Sequence, residues 1–270
     1  MQRITRRRAI QSVGITAGTG LLGGCHGRSH ADPQPDGRQD AQTTAEQARA
    51  APAEWTYVEL DPDGIAAVAY DMYPQGSCMY ALVGSIVGAL AEKLGEPFRS
   101  FPLAMMRYGH GGVGGWGSIC GAANGAAAVI GLLFPEEEKT RRDRMIAEVF
   151  SWYENTALPR YQPAAPAKDL QILPSRADSL LCHLSVGRWC ETSGLDAFCE
   201  ERKERCRRLT ADVAEKTVEV LNRELAGQCP QAKFDPEVKS CIECHGQQEL
   251  GDSVGRMRCS ACHQFSKKHP

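Results

Sequence analysis

Apolar and polar positions follow helical rather than strand spacing over most of the chain. From Gln75-Gly76-Ser77-Cys78 an apolar segment runs to Leu94 and meets Gly95 and Pro97. This predicts a helix with Ser77 as N-cap and Gly95 as its stop. A second helix is expected from Ser118 to about Phe134. A third is expected from Pro135 to about Ala157, with Glu136, Glu137 and Glu138 in its first turn. A long amphipathic helix fits about Leu195 to Leu225, ended by Gly227 and Pro230. Tyr108-Gly-His-Gly-Gly-Val-Gly-Gly-Trp-Gly117 is too glycine-rich for regular structure. Residues 158–176 carry Pro159, Pro163, Pro166 and Pro174 and read as an extended connection. There is no convincing strand alternation and no repeat of solenoid length. The expected class is all-α: a helical bundle of about four main helices, with its folded body over residues 55–229.

The two ends depart from this pattern. Residues 1–25 combine Thr5-Arg6-Arg7-Arg8-Ala9-Ile10 with a short apolar run and Leu22-Gly23-Gly24-Cys25. A charged start and an apolar run too short to span a membrane mark an export signal. The arginines resemble the twin-arginine motif, although Ala9 stands where a bulky apolar residue is usual. Leu22 to Cys25 resembles a lipoprotein box that would lipidate Cys25. Residues 26–54 hold almost no large apolar side chain and read as a flexible tether. The tail, residues 230–270, is polar and too short to bury a core unaided.

Composition sharpens the chemistry. With 31 basic and 33 acidic side chains the net charge is -2, which argues against nucleic acid as a main partner. The 12 cysteines are the unusual number. In an exported protein they call for metal, covalent cofactor or disulfide chemistry.

Cys241-Ile-Glu-Cys244-His245 and Cys259-Ser-Ala-Cys262-His263 both match C-x-x-C-H, the attachment pattern of c-type haem. Two thiols at this spacing add across the vinyl groups of one porphyrin, and the histidine becomes the proximal iron ligand. Two largely apolar macrocycles would supply the core the tail lacks. The competing reading is a zinc ribbon on the same four cysteines, acting as an interaction module. It requires neither His245 nor His263, and the chain has only 7 histidines. An electron-transfer haem also takes a second axial ligand. Candidates are His183, His110 and His269, with Met257 the weaker alternative.

Seven further cysteines remain between residues 78 and 229. Cys78 and Cys120 each fall in the first turn of an expected helix, where free N–H groups and the helix dipole favour thiolate. Cys206 lies in the last long helix and Cys190 shortly before it. Four thiolates from separate segments suit an iron–sulfur cluster. Periplasmic disulfides or inert buried thiols are the alternatives. The glycine run lacks the strand and βαβ setting of a nucleotide loop.

The two C-x-x-C-H motifs, joined to a helical body carrying Tyr108 to Gly125, resemble split-Soret cytochrome c. The body alone resembles the C-GCAxxG-C-C family of redox-active proteins. Here Cys120 precedes Gly121 instead of following it. The resemblance spans roughly residues 55–270, and Cys182 to Val186 and Cys206 to Asp212 add to it. It implies a homodimer with two haems per subunit, bis-histidine ligation with one ligand possible from the partner, and an iron–sulfur cluster, [2Fe-2S] being favoured. Carried over by residue, the cluster ligands would be Cys78, Cys120, Cys190 and Cys206, with Cys182 as the substitute for Cys190.

The resulting expectation is an exported electron carrier, in the periplasm or on the outer membrane face, with Cys25 as its candidate lipid anchor. It would move single electrons between the cluster and two c-type haems without substrate turnover. The enzymatic alternative is a haem-based small-molecule reductase, which needs an open axial site.

Overall fold

The computed structural model describes residues 54–166 and 170–263. The signal-like start with Cys25, residues 26–53 of the expected tether, and His269 lie outside the described residues. Among the described residues there are six α-helices and one two-stranded sheet.

Helix α1 (Pro62–Leu94) begins at Asp61, whose carboxylate accepts from the Gly64 N–H at 3.2 Å, with Pro62 as first residue. It breaks at Gly76 and Ser77. Ser77 has φ 65°, and Pro74 just upstream lacks an N–H. A Cβ on Gly76 would lie 2.4 Å from the Tyr80 ring, so glycine is required for this close turn. The half after Ser77 is the helix expected from Ser77 to Leu94. The half before it, Pro62 to Gln75, lies outside the expected helices.

Helix α2 (Gly121–Leu133) follows the glycine run and a 3-10 segment, Leu103–Gly109. Helix α3 (Lys139–Asn155) is preceded by the 3-10 turn Glu136–Glu138, so its α-helical part starts later than Pro135. Helix α4 (Cys182–Ser193) was not expected. It is short and its apolar positions are few. Helix α5 (Glu200–Leu225) begins after Leu195, because the Asp196 carboxylate caps the Phe198 N–H at 2.6 Å and holds a turn. Helix α6 (Pro236–His245) lies in the tail and starts at Asp235. Strands β1 (Ala157–Leu158) and β2 (Ser175–Arg176) pair antiparallel and are too short to show alternation.

The core is the seam where α1 packs on α5 and α2, with α3 closing one side. Met79, Leu82, Ile86 and Leu90 of α1 meet Leu209, Val213 and Leu221 of α5 and Ala126 and Ile130 of α2, all almost fully buried. Each such Leu or Ile contributes about 1.5–3 kcal/mol through burial. Helix α1 is long and apolar enough to cross a membrane, but this buried face is what a core helix requires. Two polar groups tie the ends. Asn222 of α5 accepts from the Tyr57 hydroxyl at 2.6 Å and the Leu60 N–H at 3.2 Å, and donates to the Leu60 carbonyl at 2.8 Å. Glu204 accepts from Tyr70 and Arg208 at 2.8 and 2.7 Å, both within the buried interior.

Candidate metal centre

Four segments converge on one set of thiols. Cys78 is the first residue after the break in α1, and Cys120 is the N-cap of α2. Cys206 lies in the second turn of α5, and Cys182 opens α4. A backbone pairing sets Cys182 beside Cys120. The Cys182 N–H donates to the Ser118 carbonyl at 2.6 Å, the Cys120 N–H to the Leu180 carbonyl at 2.8 Å, and Ile119 bridges Leu181 between them. The glycine run makes this possible. Gly112 has φ 70°, and a Cβ there would lie 2.7 Å from Cys182 Cβ and from the Ser118 nitrogen. Gly121 serves the other side. Its Cβ would lie 2.3 Å from the Gly109 carbonyl oxygen and 2.4 Å from Cys78 Sγ.

The electrostatics bind these residues into one group. Burial pushes the Cys78 thiol well up, and Cys120, Cys206 and Cys182 push it further. Burial also raises Cys120, opposed by the Tyr153 hydroxyl and by the N–H groups of Ala122 and Ala123 at the start of α2. Cys182 is pushed up to about 12 by burial, then by Cys120 and Cys206. Without a cation, the thiols of Cys78, Cys120 and Cys182 therefore resist ionising together. Tyr73 is raised by the same burial and by Cys206 and Cys78.

The counter-charge near these thiols is Arg205. It is 1% exposed, and among the described residues no carboxylate pairs with it. Its guanidinium donates to Ser185 Oγ at 2.9 Å and to Cys206 Sγ at 3.9 Å, and its Nε has no partner. Tyr153 reaches the same Ser185 Oγ at 3.0 Å. A buried cation without a carboxylate is costly unless an anion lies beside it. The donor set thus fits a metal that turns thiols into thiolates. Among the described residues no three His, Cys, Asp or Glu side chains converge as the ligands of a single ion do.

Cys190 stands elsewhere. It lies in the last turn of α4, and the thiol that acts on it is that of Cys199, the N-cap of α5. The structure therefore groups Cys182, not Cys190, with Cys78, Cys120 and Cys206. Arg205, Tyr153, Tyr73 and Ser185 were missed from sequence. One signal was available: Arg205 falls on the buried register of α5 with Leu209 and Val213, where an apolar residue is expected.

The tail is organised by polar clasps. The Glu237 carboxylate accepts from the Ser260 N–H at 2.7 Å and its hydroxyl at 2.6 Å, holding α6 against the 3-10 turn Cys259–Ala261. Burial and the neighbouring Cys241 thiol raise that of Cys259, so the first cysteines of the two motifs are side by side. His245 Nδ1–H donates to Asp252 at 2.9 Å, which turns Nε2 into the nitrogen that could meet an iron. Val238 is the one buried apolar side chain of the described tail, while Leu250 and Val254 are exposed. His183 and His110 are both exposed. His183 Nδ1–H donates to the Gly117 carbonyl at 2.8 Å, which again aims Nε2 outward.

The family described as "Putative redox-active protein (C_GCAxxG_C_C)" matches residues 83–220. The split-Soret cytochrome c of Desulfovibrio desulfuricans (strain ATCC 27774 / DSM 6949 / MB) is 40% identical over 218 residues, 77% of each chain. A solved structure of split-Soret cytochrome c from Desulfovibrio desulfuricans ATCC 27774, reported for a novel iron centre, is similar at TM-score 0.74 and 37% identity. The match covers 79% of this chain and 91% of that one. With its helical fold and cysteine pattern, the chain belongs to the split-Soret cytochrome c family of redox electron-transfer proteins.

Proposed function

We propose that the chain carries electrons between an iron–sulfur cluster held by Cys78, Cys120, Cys182 and Cys206 and two c-type haems attached at Cys241/Cys244 and Cys259/Cys262. The observation that carries this reading is the buried Arg205 beside those sulfurs with no carboxylate pairing with it among the described residues. A cluster with bridging sulfides spaces its thiolates more widely than a single ion does, in keeping with the absence of a single-ion site among the described residues. When bound, the cluster and haems would supply one-electron transfer.

The chain's own residues do the rest. Arg205 and the N–H groups at the start of α2 offset thiolate charge. Gly112 and Gly121 admit the backbone close to the sulfurs. Asp252 and the Gly117 carbonyl fix the tautomers of His245 and His183. His245 and His263 are the proximal ligands in this reading, and His183, His110 and His269 the distal candidates. Cys182 takes the place of Cys190 because it shares the site. Export, lipidation of Cys25, a periplasmic or outer-face location and a homodimer complete the reading. They rest on the N-terminal motifs and the family resemblance.

The test is metal, sulfide and haem analysis of anaerobically purified protein, with spectra. Two covalent haems plus non-haem iron and sulfide per chain are expected. Zinc without covalent haem after expression with haem-attachment machinery would establish the ribbon instead. A high-spin haem open on one face would establish the reductase.

A further inference from the structure

Glu154, on the last turn of α3, presents an anomaly outside the thiol site. One carboxyl oxygen, Oε1, is buried and has no hydrogen-bond partner, while the Leu180 N–H bonds to the carboxyl. The side chain lines a cavity of about 300 Å³ whose other wall is the tail, with Phe234, Arg256 and Met257.

The charges around it explain why the carboxyl is left over. Arg258 donates to Asp178 of the loop after β2 at 2.9 Å and to Asp235 at the start of α6. Arg176 of β2 also binds Asp178, at 2.7 Å. Arg256 faces the cavity from the tail and Asp143 from α3, and Glu237 of α6 acts on Arg258. Arg258 and Arg176 are thus committed to Asp178 and Asp235, and Arg256 lies over the Phe234 ring. Burial, with Asp235 and Asp178 adding to it, pushes the Glu154 carboxyl up to about 7, against the pull of Arg258.

Arg258 is bonded in sequence to Cys259, the first attachment cysteine of the second motif. A change of charge there is felt across a cavity walled by protein, where screening is weaker than in bulk water. We propose that Glu154 is the proton acceptor coupled to reduction of the tail. The inference rests on the haem reading above. One electron enters the haem attached at Cys259 and Cys262 from a donor protein or an electrode. One proton from solvent enters the cavity, and the Glu154 carboxylate becomes a carboxylic acid. The only bond formed is that O–H bond. Linkage makes the effect reciprocal: the proton raises the potential as much as the electron tightens the proton.

The experiment is spectroelectrochemical titration of the full haem-loaded protein between about pH 6 and about pH 8, with reduced-minus-oxidised infrared spectra. In the native chain the potential of one haem should fall as pH rises, and reduction should produce a protonated carboxyl band. Glu154→Gln should flatten the fall and remove the band, whereas Glu154→Asp should keep both. A native chain with no pH slope overturns the proposal whether or not the variant folds. So does a slope and band that survive in Glu154→Gln. Absence of covalent haem would instead defeat the reading beneath it, and the proposal with it.

Discussion

The guanidinium of Arg205 lies 3.9 Å from the sulfur of Cys206, one residue along α5; Arg205 is buried and Cys206 half-buried, with thiols from three other segments nearby. If the proposed cluster is bound, Arg205 faces thiolates; without iron, burial favours the neutral thiols of Cys78, Cys120 and Cys182. Arg205→Met should therefore reverse sign between the two. It should destabilise the loaded protein by about 3–5 kcal/mol, the cost of breaking a buried charge pair, and stabilise the iron-free one by about 1–4 kcal/mol. Anaerobic denaturant unfolding with and without iron checks this. The same sign in both states would remove Arg205 as the counter-charge.

The placement of Cys182 beside Cys120, with Cys190 beside Cys199, separates two cysteines that sequence spacing leaves equivalent. Cys182→Ser should abolish or greatly reduce non-haem iron and sulfide, with the haems retained. Cys190→Ser should leave the iron unchanged. Iron retained in the first variant and lost in the second would restore Cys190 as the ligand.

Gly121 and Gly131 lie in the same helix with opposite surroundings. A Cβ at Gly121 meets Cys78 Sγ and the Gly109 carbonyl oxygen, whereas at Gly131 nothing lies within 4 Å. Gly131→Ala should gain about 0.5–1 kcal/mol from lower unfolded-state entropy. Gly121→Ala should lose stability and lower the iron content, since either the carbonyl or the sulfur must shift. Thermal unfolding and iron analysis of the two variants provide the comparison.

Asp212 caps the backbone N–H groups of Arg160 and Tyr161 at 2.9 and 2.8 Å, yet burial outweighs those bonds and raises its carboxyl from 3.8 to about 7. The folded chain then holds this proton more tightly than the unfolded chain. Its contribution favours folding at low pH, declines as pH rises from about 4 to about 7, and is constant above that. Asp212→Asn should flatten the stability profile over that interval. A parallel decline in native and Asn proteins would show that another group is responsible.

How much of this was legible in sequence depended on range. Helices with long apolar registers, such as the second half of α1 and α5, show in spacing alone, as does the Ser77 boundary. The C-x-x-C-H pairs are local covalent patterns and need no fold to be read. Helix α4 and the first half of α1 were hidden because prolines and scarce apolar residues mask short helical turns. The grouping of Cys182 with Cys120 depends on hydrogen bonds between residues 118–120 and 180–182, some sixty positions apart. Local spacing carries no record of such a pairing.

The Asn222 clasp has a mechanical consequence. It fastens Tyr57 and Leu60 to α5 sixteen residues beyond Cys206, about 24 Å along the helix at 1.5 Å per residue. Tension applied to the chain ahead of residue 54 is taken up at Asn222 and borne along the rigid axis of α5. Cys206, toward the other end of that helix, is shielded from such a pull.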